Sequence, residues 1–356
     1  MHTRWGTAQV QTKGPESNKK RTFEKNEIWV STIIPTIGRP ELHRAIESVL
    51  EQDLPACRRE LIIVNDTGDP SVTERWNSCS GVTVVTTNHC ERCHARNVGA
   101  CIAKGKYLHF LDDDDYLLPG ALKILADEAL RSGCQWVTGA YVVTDREDNF
   151  MRTICPGEVG DFFAKSICGE AFPMGSVLFD RETFFSVGGF DPKYIVAEDR
   201  ELERRFAFAA PVSYVPKVVF SARAGMDRGT TTRWQLVGEI DKECRTKALN
   251  IPGAFSRLVR TTSNRPKLRA RVVKAYAGAA LHAARSGSVG SFLRFGTLLL
   301  ALLTVTLVQP MNIPTLVRYS ITSAARWLTH NGRRLGSDGT LETGLSTRGC
   351  EKPHDS

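Results

Sequence analysis

The chain has 356 residues, of which 42% are hydrophobic, 24% charged and 8% aromatic, and these proportions exclude a wholly disordered or collagen-like protein. The net charge of +8 conceals a split, because residues 1–25 carry +4, residues 26–250 carry −7 and residues 251–356 carry +11 by count. An acidic body between basic ends argues against a nucleic-acid partner. The basic C-terminal third is better suited to an anionic membrane surface.

Cysteine usage and the N-terminal composition point to a reducing compartment. The ten cysteines are scattered, and MHTRWGTAQVQTKGPESNKK has no apolar core of a signal peptide. The longest uncharged stretch lies between Arg294 and Arg318, and its dense apolar part, FGTLLLALLTVTLV, has about 14 residues where a membrane span needs about 20. We therefore expect a cytoplasmic protein whose apolar helix is buried or lies at the inner face of the cell membrane, rather than a membrane span.

The first half of the chain alternates apolar β-branched runs with amphipathic segments. Strands are predicted in IWVSTIIP, ELIIVND, GVTVVTT and KYLHFL, and helices in ELHRAIESVL and ARNVGACIAKG. This rhythm predicts an α/β fold with a mostly parallel central sheet flanked by helices. After about residue 250 the pattern becomes helical, which predicts a C-terminal helical appendage.

Ligands of such sheets bind at the carboxyl ends of the strands, so the residues just after each strand matter most. The first strand is not followed by G-x-G-x-x-G, and no Gly-rich loop ends in Gly-Lys-Ser/Thr. These absences argue against a Rossmann dehydrogenase and against a P-loop NTPase.

The strongest chemical signal is FLDDDDYLLP at 110–119. Four adjacent carboxylates repel one another, and a cation is the simplest way to neutralise them. Because alternate side chains of an extended segment share a direction, Asp112 and Asp114 are expected to face one ligand while Asp113 and Asp115 point elsewhere. Carboxylate oxygens suit Mg²⁺ or Mn²⁺. The competing interpretation is a solvated acidic turn in which Asp115 caps the next helix.

Five stretches in register resemble the family 2 glycosyltransferases, which have the A-type glycosyltransferase fold (GT-A). They are VSTIIPTIGRPELHRAIESVLEQ, LIIVNDTG, ARNVGACIAKGKYLHFLDDDDYLLPGAL, VGGFDP and AEDRELERR, and together they cover about residues 28–215. The resemblance implies metal-dependent, inverting transfer of a sugar from a nucleotide-sugar, with a UDP-sugar favoured. The acceptor would be a hydroxyl of a polysaccharide, a lipid-linked sugar or another glycan.

The resemblance also assigns roles to residues. Pro35 and Thr36 would line the base pocket, Asp66 would hydrogen-bond the base, and Arg96 would approach the nucleotide. Asn65 replaces an acid that is common in the family. The implied nucleotide-sugar-binding residues are Pro35, Thr36, Asp66, Arg96, Asp112 and Asp113, and the implied ligands of Mn²⁺ or Mg²⁺ are Asp114 and Asp112.

The segment AEDRELERRF at 197–206 supplies the candidate base. Inverting transfer needs one group to take the proton from the acceptor hydroxyl, and a single carboxylate suffices. The resemblance assigns this role to Asp199, with Glu198 contacting the acceptor or serving as the alternative base. Acidic residues are also favoured in any first helical turn, so a purely structural role is the competing interpretation.

Two further features stay open. Many relatives carry a His after the base helix, sometimes as a third metal ligand, whereas FSARAGMDRGTTTRW has none. If a third ligand exists, it would be Asp227 or water. The arginines of this segment would either clamp the diphosphate or lie at the surface; they are Arg223, Arg228 and Arg233. Cys90 and Cys93, beside His89 and His94, could form half a zinc site or a redox pair, but ordinary reduced thiols are favoured.

The predicted organisation has four parts. They are a disordered basic tail at 1–25, a glycosyltransferase catalytic domain at 26–250, a helical region at 251–330 and a disordered tail at 331–356. The helical region would pack on the catalytic domain with a solvated basic side, or contact a membrane surface. Competing functions are a sugar nucleotidyltransferase, which typically shows a Gly-rich loop after the first strand, and a catalytically silent binding or scaffold protein.

Overall fold

A nine-stranded mixed sheet forms the centre of the protein, whose structure, a computed structural model, describes residues 28–145, 147–157, 160–224 and 234–307. The strand order is β3-β2-β1-β4-β8-β6-β9-β5, and β7 pairs with β6. The strands are β1 (Val30–Thr36), β2 (Arg59–Asn65), β3 (Val82–Thr86), β4 (Tyr107–Phe110), β5 (Tyr116–Leu117), β6 (Trp136–Thr144), β7 (Phe150–Ile154), β8 (Val177–Asp180) and β9 (Val212–Arg223).

Six of these nine described strands run in one direction and three run against it. The pairs β1–β2, β2–β3, β1–β4 and β6–β9 are parallel, whereas β5, β7 and β8 pair antiparallel with their neighbours. The predicted α/β class with a mostly parallel sheet is therefore confirmed. The antiparallel β8, between β4 and β6, is the element that the alternation of strands and helices did not predict.

Helices cover both faces of the sheet. They are α1 (Leu42–Leu50), α2 (Glu91–Ile102), α3 (Ala121–Ser132), α4 (Phe163–Ile167), α5 (Arg181–Ser186), α6 (Glu198–Ala209), α7 (Trp234–Leu249), α8 (Ala254–Thr261), α9 (Pro266–Arg285) and α10 (Val289–Leu307). Alternate residues of one strand enter different cores: Ile34 packs with α1 and α3, and Ile33 packs with α2 and α6. This alternation is why both faces of β1 are apolar in the sequence.

The predicted C-terminal helices are present and share a core with the sheet. Tyr276 of α9 and Phe295 of α10 are fully buried, and both belong to the cluster that contains Ile33 of β1 and Phe206 of α6. Burial of such aromatic side chains stabilises a fold by about 1.5–3 kcal/mol each. The helices from α7 onward are thus packed on the catalytic half through one continuous apolar core.

The long apolar stretch forms α10 within the described residues. No helix in this part of the chain is long and apolar enough to cross a membrane. The predicted tails at 1–25 and 331–356, and the predicted helical segment after Leu307, lie outside the described residues.

Candidate active site

The carboxyl ends of β1, β2 and β4 come together at one edge of the sheet. Thr36 of β1 is in register with Asn65 of β2, and the Asp66 N–H donates to the Thr36 carbonyl at 2.8 Å. Pro35, one residue earlier, is half-buried beside Val64 in the same register. These contacts place the predicted base-pocket residues Pro35, Thr36 and Asp66 side by side.

Asp66 ties the end of β2 to the start of α2. Its Oδ1 accepts the Thr87 hydroxyl at 2.7 Å and the backbone N–H of Cys90 at 2.8 Å. Cys90 is the N-cap of α2, whose own side chain makes no capping hydrogen bond, so the Asp66 carboxylate serves the helix N-terminus in its place. The residues on either side of Cys90, His89 and Glu91, have φ of 47° and 71°, a strained conformation that is common at functional sites.

Asn65, by contrast, is committed to the loop that follows β2. Its Nδ2 donates to the Asp69 carbonyl at 2.7 Å, and its Oδ1 accepts the Thr67 hydroxyl at 2.7 Å. Both ends of the amide are therefore used in holding residues 65–73 in place. The replacement of an acid by Asn at this position leaves Asp66 as the carboxylate at the end of β2.

Asp113 points into the protein beside β1. Its Oδ2 accepts the Thr36 hydroxyl at 2.7 Å, and Nη1 of Arg39 lies 3.3 Å from its Oδ1. Burial raises the pKa of Asp113 to about 6, against the opposing effects of Thr36 and Arg39. Asp113 therefore connects the end of β4 to the pocket wall formed by β1 rather than facing the acids on either side of it.

Three other acids of the run form a cluster. Asp112, Asp114 and Asp115 each offer a carboxylate oxygen, and these oxygens all lie within 4.8 Å of one another. Hard divalent cations such as Mg²⁺ and Mn²⁺ take oxygen ligands, so this set of donors fits the predicted metal. The structure thus brings together the predicted ligands Asp112 and Asp114, and it adds Asp115.

Asp115 does not cap the following helix, which was one alternative for it. The N-cap of α3 is Gly120, and Asp115 Oδ1 instead accepts the backbone N–H of Arg223 at 3.1 Å. This contact fixes the end of β9 against the acidic run. The side chain of Arg223 pairs with Glu41 at 3.3 Å and Asp148 at 3.1 Å rather than with the cluster.

Arg39 is a functional candidate that the sequence analysis did not single out. Its Nη1 lies 2.8 Å from Asp114 Oδ2, and one third of its side chain is exposed. A guanidinium so placed supplies positive charge to the acidic cluster from the turn after β1. The available signal was its position in STIIPTIGRP, a few residues beyond a strand end.

Arg96 joins the acidic cluster to the helix that carries the candidate base. It is 2% exposed, its Nη2 lies 2.6 Å from Asp112 Oδ1, and its Nη1 lies 2.9 Å from Glu198 Oε1. Burial alone would lower the pKa of Arg96, but Asp112 and Glu198 raise it above its usual value. Burial likewise raises the pKa of Glu198, and Arg96 opposes that shift.

The candidate base sits at the first turn of α6. Asp199 is half-buried, and its Oδ1 accepts the backbone N–H of Arg200 at 2.7 Å. Ala197, the N-cap, has φ of 57°. Acidic side chains are favoured in the first turn of a helix, where the positive end of the helix dipole lies. Glu198 is buried and held by Arg96, so of the two acids Asp199 is the more accessible.

Asn97 holds the loop that leads to this helix. Its Nδ2 donates to the Phe190 carbonyl at 2.8 Å, and its Oδ1 accepts the Phe190 N–H at 3.0 Å. Gly188 and Gly189 precede Phe190 with φ of 94° and 63°, a backbone conformation that glycine adopts without strain. Residues 96 and 97 of α2 thus position both the base helix and the loop before it.

The turn before β8 and the cysteines at the start of α2 lie near the site. Met174, Gly175 and Ser176 are buried in this turn. The buried Cys93 thiol donates to the Tyr194 carbonyl at 3.0 Å, and burial raises its pKa to about 12. Cys90 is exposed, and among the described residues the aspartate cluster alone groups three or more potential metal ligands. These contacts favour ordinary thiols over half a zinc site or a redox pair. Asp227, Arg228 and Arg233 lie outside the described residues.

Comparisons with known proteins place this arrangement in context. Residues 31–171 match the family model described as glycosyl transferase family 2. The poly(ribitol-phosphate) beta-N-acetylglucosaminyltransferase TarP of Staphylococcus aureus (strain N315) is 33% identical over 131 residues, which cover 35% of this chain and 40% of TarP. The glycosyl transferase WcaA of Escherichia coli (strain K12) is 30% identical over 150 residues, which cover 38% of this chain and 46% of WcaA. The chain thus matches less than half the length of either relative.

Solved structures of the Staphylococcus aureus protein TarS share the architecture. The structure of TarS 1–349 with UDP-GlcNAc has a TM-score of 0.52 and 16% sequence identity, and the match covers 74% of this chain and 89% of that one. The structure with UDP has a TM-score of 0.50 at 17% identity over the same shares. At this level of identity the likeness concerns the fold, and it confirms the predicted GT-A architecture.

Proposed function

We propose that the protein transfers a sugar from a nucleotide-sugar to a hydroxyl of a glycan or lipid-linked acceptor, on the premise that residues 31–171 match the family model described as glycosyl transferase family 2. One observation carries the proposal. The oxygens of Asp112, Asp114 and Asp115 lie within 4.8 Å of one another, and Arg96 ties this cluster to the turn that holds Asp199. The proposed site for an anionic diphosphate and the proposed base for an acceptor proton would therefore be held together by one buried side chain.

The donor base would lie against Pro35, Thr36 and Asp66. Asp66 uses Oδ1 for two hydrogen bonds within the protein, and no contact with the described residues uses Oδ2. A carboxylate oxygen accepts a hydrogen bond, so it selects a base edge that donates one, such as the N3–H of uracil. TarS, the structural neighbour, is solved with UDP and with UDP-GlcNAc. We therefore propose a UDP-sugar as the donor.

The acidic cluster would hold Mn²⁺ or Mg²⁺ through Asp112 and Asp114, with Asp115 completing the set of oxygens. Such a cation supplies charge neutralisation to a departing nucleoside diphosphate. Arg39, 2.8 Å from Asp114, and Arg96, 2.6 Å from Asp112, bring the positive charge of the protein itself to the same place. Together they make the cluster selective for an anionic leaving group.

Asp199 would accept the proton of the acceptor hydroxyl as the hydroxyl attacks the sugar. Glu198 cannot be both the partner of Arg96 and a freely accessible base, because it is 4% exposed and its Oε1 binds that guanidinium. We therefore give Glu198 a positioning part. Inversion at the anomeric carbon follows if one base and one displacement account for the reaction.

We further propose that the protein works in the cytoplasm at the inner face of a membrane. Val289, Phe292, Leu293 and Leu300 are exposed on one face of α10, and Leu300 is 67% exposed. Such a stripe, next to a C-terminal third that carries a net +11, matches an anionic bilayer surface.

The proposal is tested by calorimetric titration of the full chain with UDP, GDP and dTDP, in Mn²⁺ and then in EDTA. We expect metal-dependent binding of UDP alone, and its loss in Asp114→Asn. Asp127→Asn is the matched control, because Asp127 is exposed and pairs with Lys123 on α3. Release of UDP from UDP-sugars in the presence of a candidate acceptor then measures transfer.

Four outcomes would count against it. Equal UDP binding in EDTA and in Mn²⁺ would show that the donor site does not need a metal. Equal binding by Asp114→Asn and Asp127→Asn would remove the acidic cluster from the donor site. A folded protein that binds no nucleotide would favour the scaffold alternative, and turnover of a sugar phosphate with UTP would favour a nucleotidyltransferase.

A further inference from the structure

A groove of about 760 Å³ lies between α7 and α9, and the end of α4 forms part of its wall. Five cationic side chains line it: Lys242 and Arg245 from α7, and Arg271, Lys274 and Arg285 from α9. Glu239 is the one acid among the described residues of that lining. The groove uses none of the residues assigned to the donor site, and its charge is opposite to that of the acidic cluster.

Three of these five cations have no ion-pair partner among the residues that the structure describes. Arg245 pairs with Asp241 at 2.7 Å, and Arg271 pairs with Glu170. Lys242, Lys274 and Arg285 form no ion pair with any of the described residues. Like charges held together in a concave surface repel one another and attract a mobile anion.

The spacing of the charges indicates an extended ligand. Arg271, Lys274 and Arg285 lie along one side of α9, and the distance from residue 271 to residue 285 is about 21 Å at 1.5 Å per residue. A single diphosphate would need its cations to converge on one point. Ala275, Gly278 and Ala279 line the groove between them, and the space above Gly278 is open, so a ligand chain can approach α9 closely.

The groove is connected to the candidate base through Asp241. Arg245, in the groove wall, and Arg200, next to Asp199, lie 2.7 Å and 3.8 Å from oxygens of this one carboxylate. Asp241 also binds the buried Arg204 of α6. The wall of the groove is therefore anchored to the helix that presents the base.

We propose that this groove binds an anionic acceptor polymer with repeated phosphate groups and leads it towards Asp199. The inference rests on the proposed function, since it names the acceptor class of the same site. A single-stranded nucleic acid is disfavoured because the described residues that line the groove include no Phe, Tyr or Trp on which bases could stack. A bilayer is disfavoured because the surface of the groove is concave, whereas the exposed apolar side chains that suit a bilayer lie on α10.

The test compares two triple variants of the full chain. Lys242→Gln/Lys274→Gln/Arg285→Gln removes the unpaired charge of the groove. Lys104→Gln/Lys217→Gln/Arg260→Gln removes two lysines and one arginine that are exposed elsewhere. The probe is fluorescent synthetic oligo(glycerol phosphate), with neutral dextran, single-stranded RNA and anionic phospholipid vesicles as the other arms. We expect the groove variant to bind the phosphate oligomer about tenfold more weakly than the control, since three surface ion pairs together amount to that factor.

The same two variants are compared in the salt dependence of oligomer binding, in UDP binding and in hydrolysis of the UDP-sugar. The groove variant should show a shallower fall of affinity with salt than the control, while UDP binding and hydrolysis of the UDP-sugar stay at the control level. Equal oligomer affinity for both variants overturns the inference. So does a groove variant whose main loss is for RNA or for vesicles. If no UDP-sugar is turned over but oligomer binding still depends on the three cations, the proposed function fails and the anion groove stands.

Discussion

Glu198 and Asp112 bind the two ends of one buried guanidinium, that of Arg96, at 2.9 Å and 2.6 Å. They come from the first turn of α6 and from the end of β4, so Arg96 fixes the distance between the candidate base helix and the acidic run. Breaking one side of such a buried pair typically costs about 3–5 kcal/mol, because the remaining charge is left without compensation.

We therefore expect Arg96→Gln to lower the free energy of unfolding by about 3–5 kcal/mol, measured by urea denaturation. The double variant Arg96→Gln/Glu198→Gln should recover part of this loss, since it leaves no uncompensated Glu198 charge. If the two single changes add without any recovery, Arg96 and Glu198 are not energetically coupled.

Asp199→Asn should reduce the rate of sugar transfer by about 10²–10⁴-fold, because it removes the proton acceptor and leaves a side chain of nearly the same shape. Binding of UDP and the thermal midpoint should stay close to wild type. Asp127→Asn on α3 serves as the control. If Glu198→Gln lowers the transfer rate more than Asp199→Asn does, at equal stability, then Glu198 is the base and Asp199 has the positioning role.

Arg39→Gln should strengthen the binding of Mn²⁺ alone by about two- to fivefold, because Arg39 competes with a cation for Asp114 and an exposed pair of this kind is worth about 0.2–1 kcal/mol. Calorimetry without nucleotide measures this effect. Arg75→Gln, at an exposed arginine that packs on Trp76, is the matched control. Unchanged Mn²⁺ affinity would mean that Arg39 does not share the acidic cluster with the cation.

His109→Gln should flatten the loss of stability in mild acid. His109 is 0% exposed, its Nε2 lies 3.0 Å from the Gly175 carbonyl, and burial lowers its pKa to about 4. Below pH 6.5 the unfolded chain binds a proton at His109 that the folded chain does not, so the contribution of His109 to stability falls by about 3 kcal/mol between pH 6.5 and about pH 4. Gln keeps a donor for Gly175 and does not titrate.

Urea denaturation of His109→Gln between pH 7 and about pH 4 checks this, with the exposed His43→Gln as the matched variant. The His43 variant should keep the wild-type dependence on pH. A His109 variant that loses as much stability as wild type over this range would show that another group controls the acid limb.

Site-resolved labelling of the folded protein with a thiol reagent should modify Cys90 and Cys57 rapidly and leave Cys93 unmodified. Cys93 is 2% exposed, donates to the Tyr194 carbonyl, and has a pKa raised to about 12 by burial, so it has little thiolate to react. All three should react alike in urea. Equal rates for Cys90 and Cys93 in the folded state would restore the redox-pair interpretation.

The sequence predicted the features that depend on local pattern. The parallel strands β1 to β4 and the helices between them follow from hydrophobic alternation, and the meeting of their carboxyl ends follows from the topology of such sheets. The resemblance to a family then brought Asp66, Asp112, Asp114 and Asp199 to one edge. All of these statements need only the order of elements along the chain.

The remaining features depend on contacts between distant parts of the chain. The i, i+2 spacing predicted that Asp112 and Asp114 face one ligand. It could not predict that Asp115 lies close to both while its Oδ1 accepts the backbone N–H of Arg223. Nor could any local pattern pair Arg39 with Asp114 or place Cys93 under Tyr194. Such pairings are set by packing, and periodicity carries no information about them.

The antiparallel β8 has a consequence for synthesis. It pairs with β4 on one side and β6 on the other, so the edge of β4 stays open until residues 177–180 have left the ribosome. An unpaired strand edge is a template for association with other chains. The nascent N-terminal half would thus depend on chaperones, or on rapid arrival of the following residues, to avoid misassembly during translation.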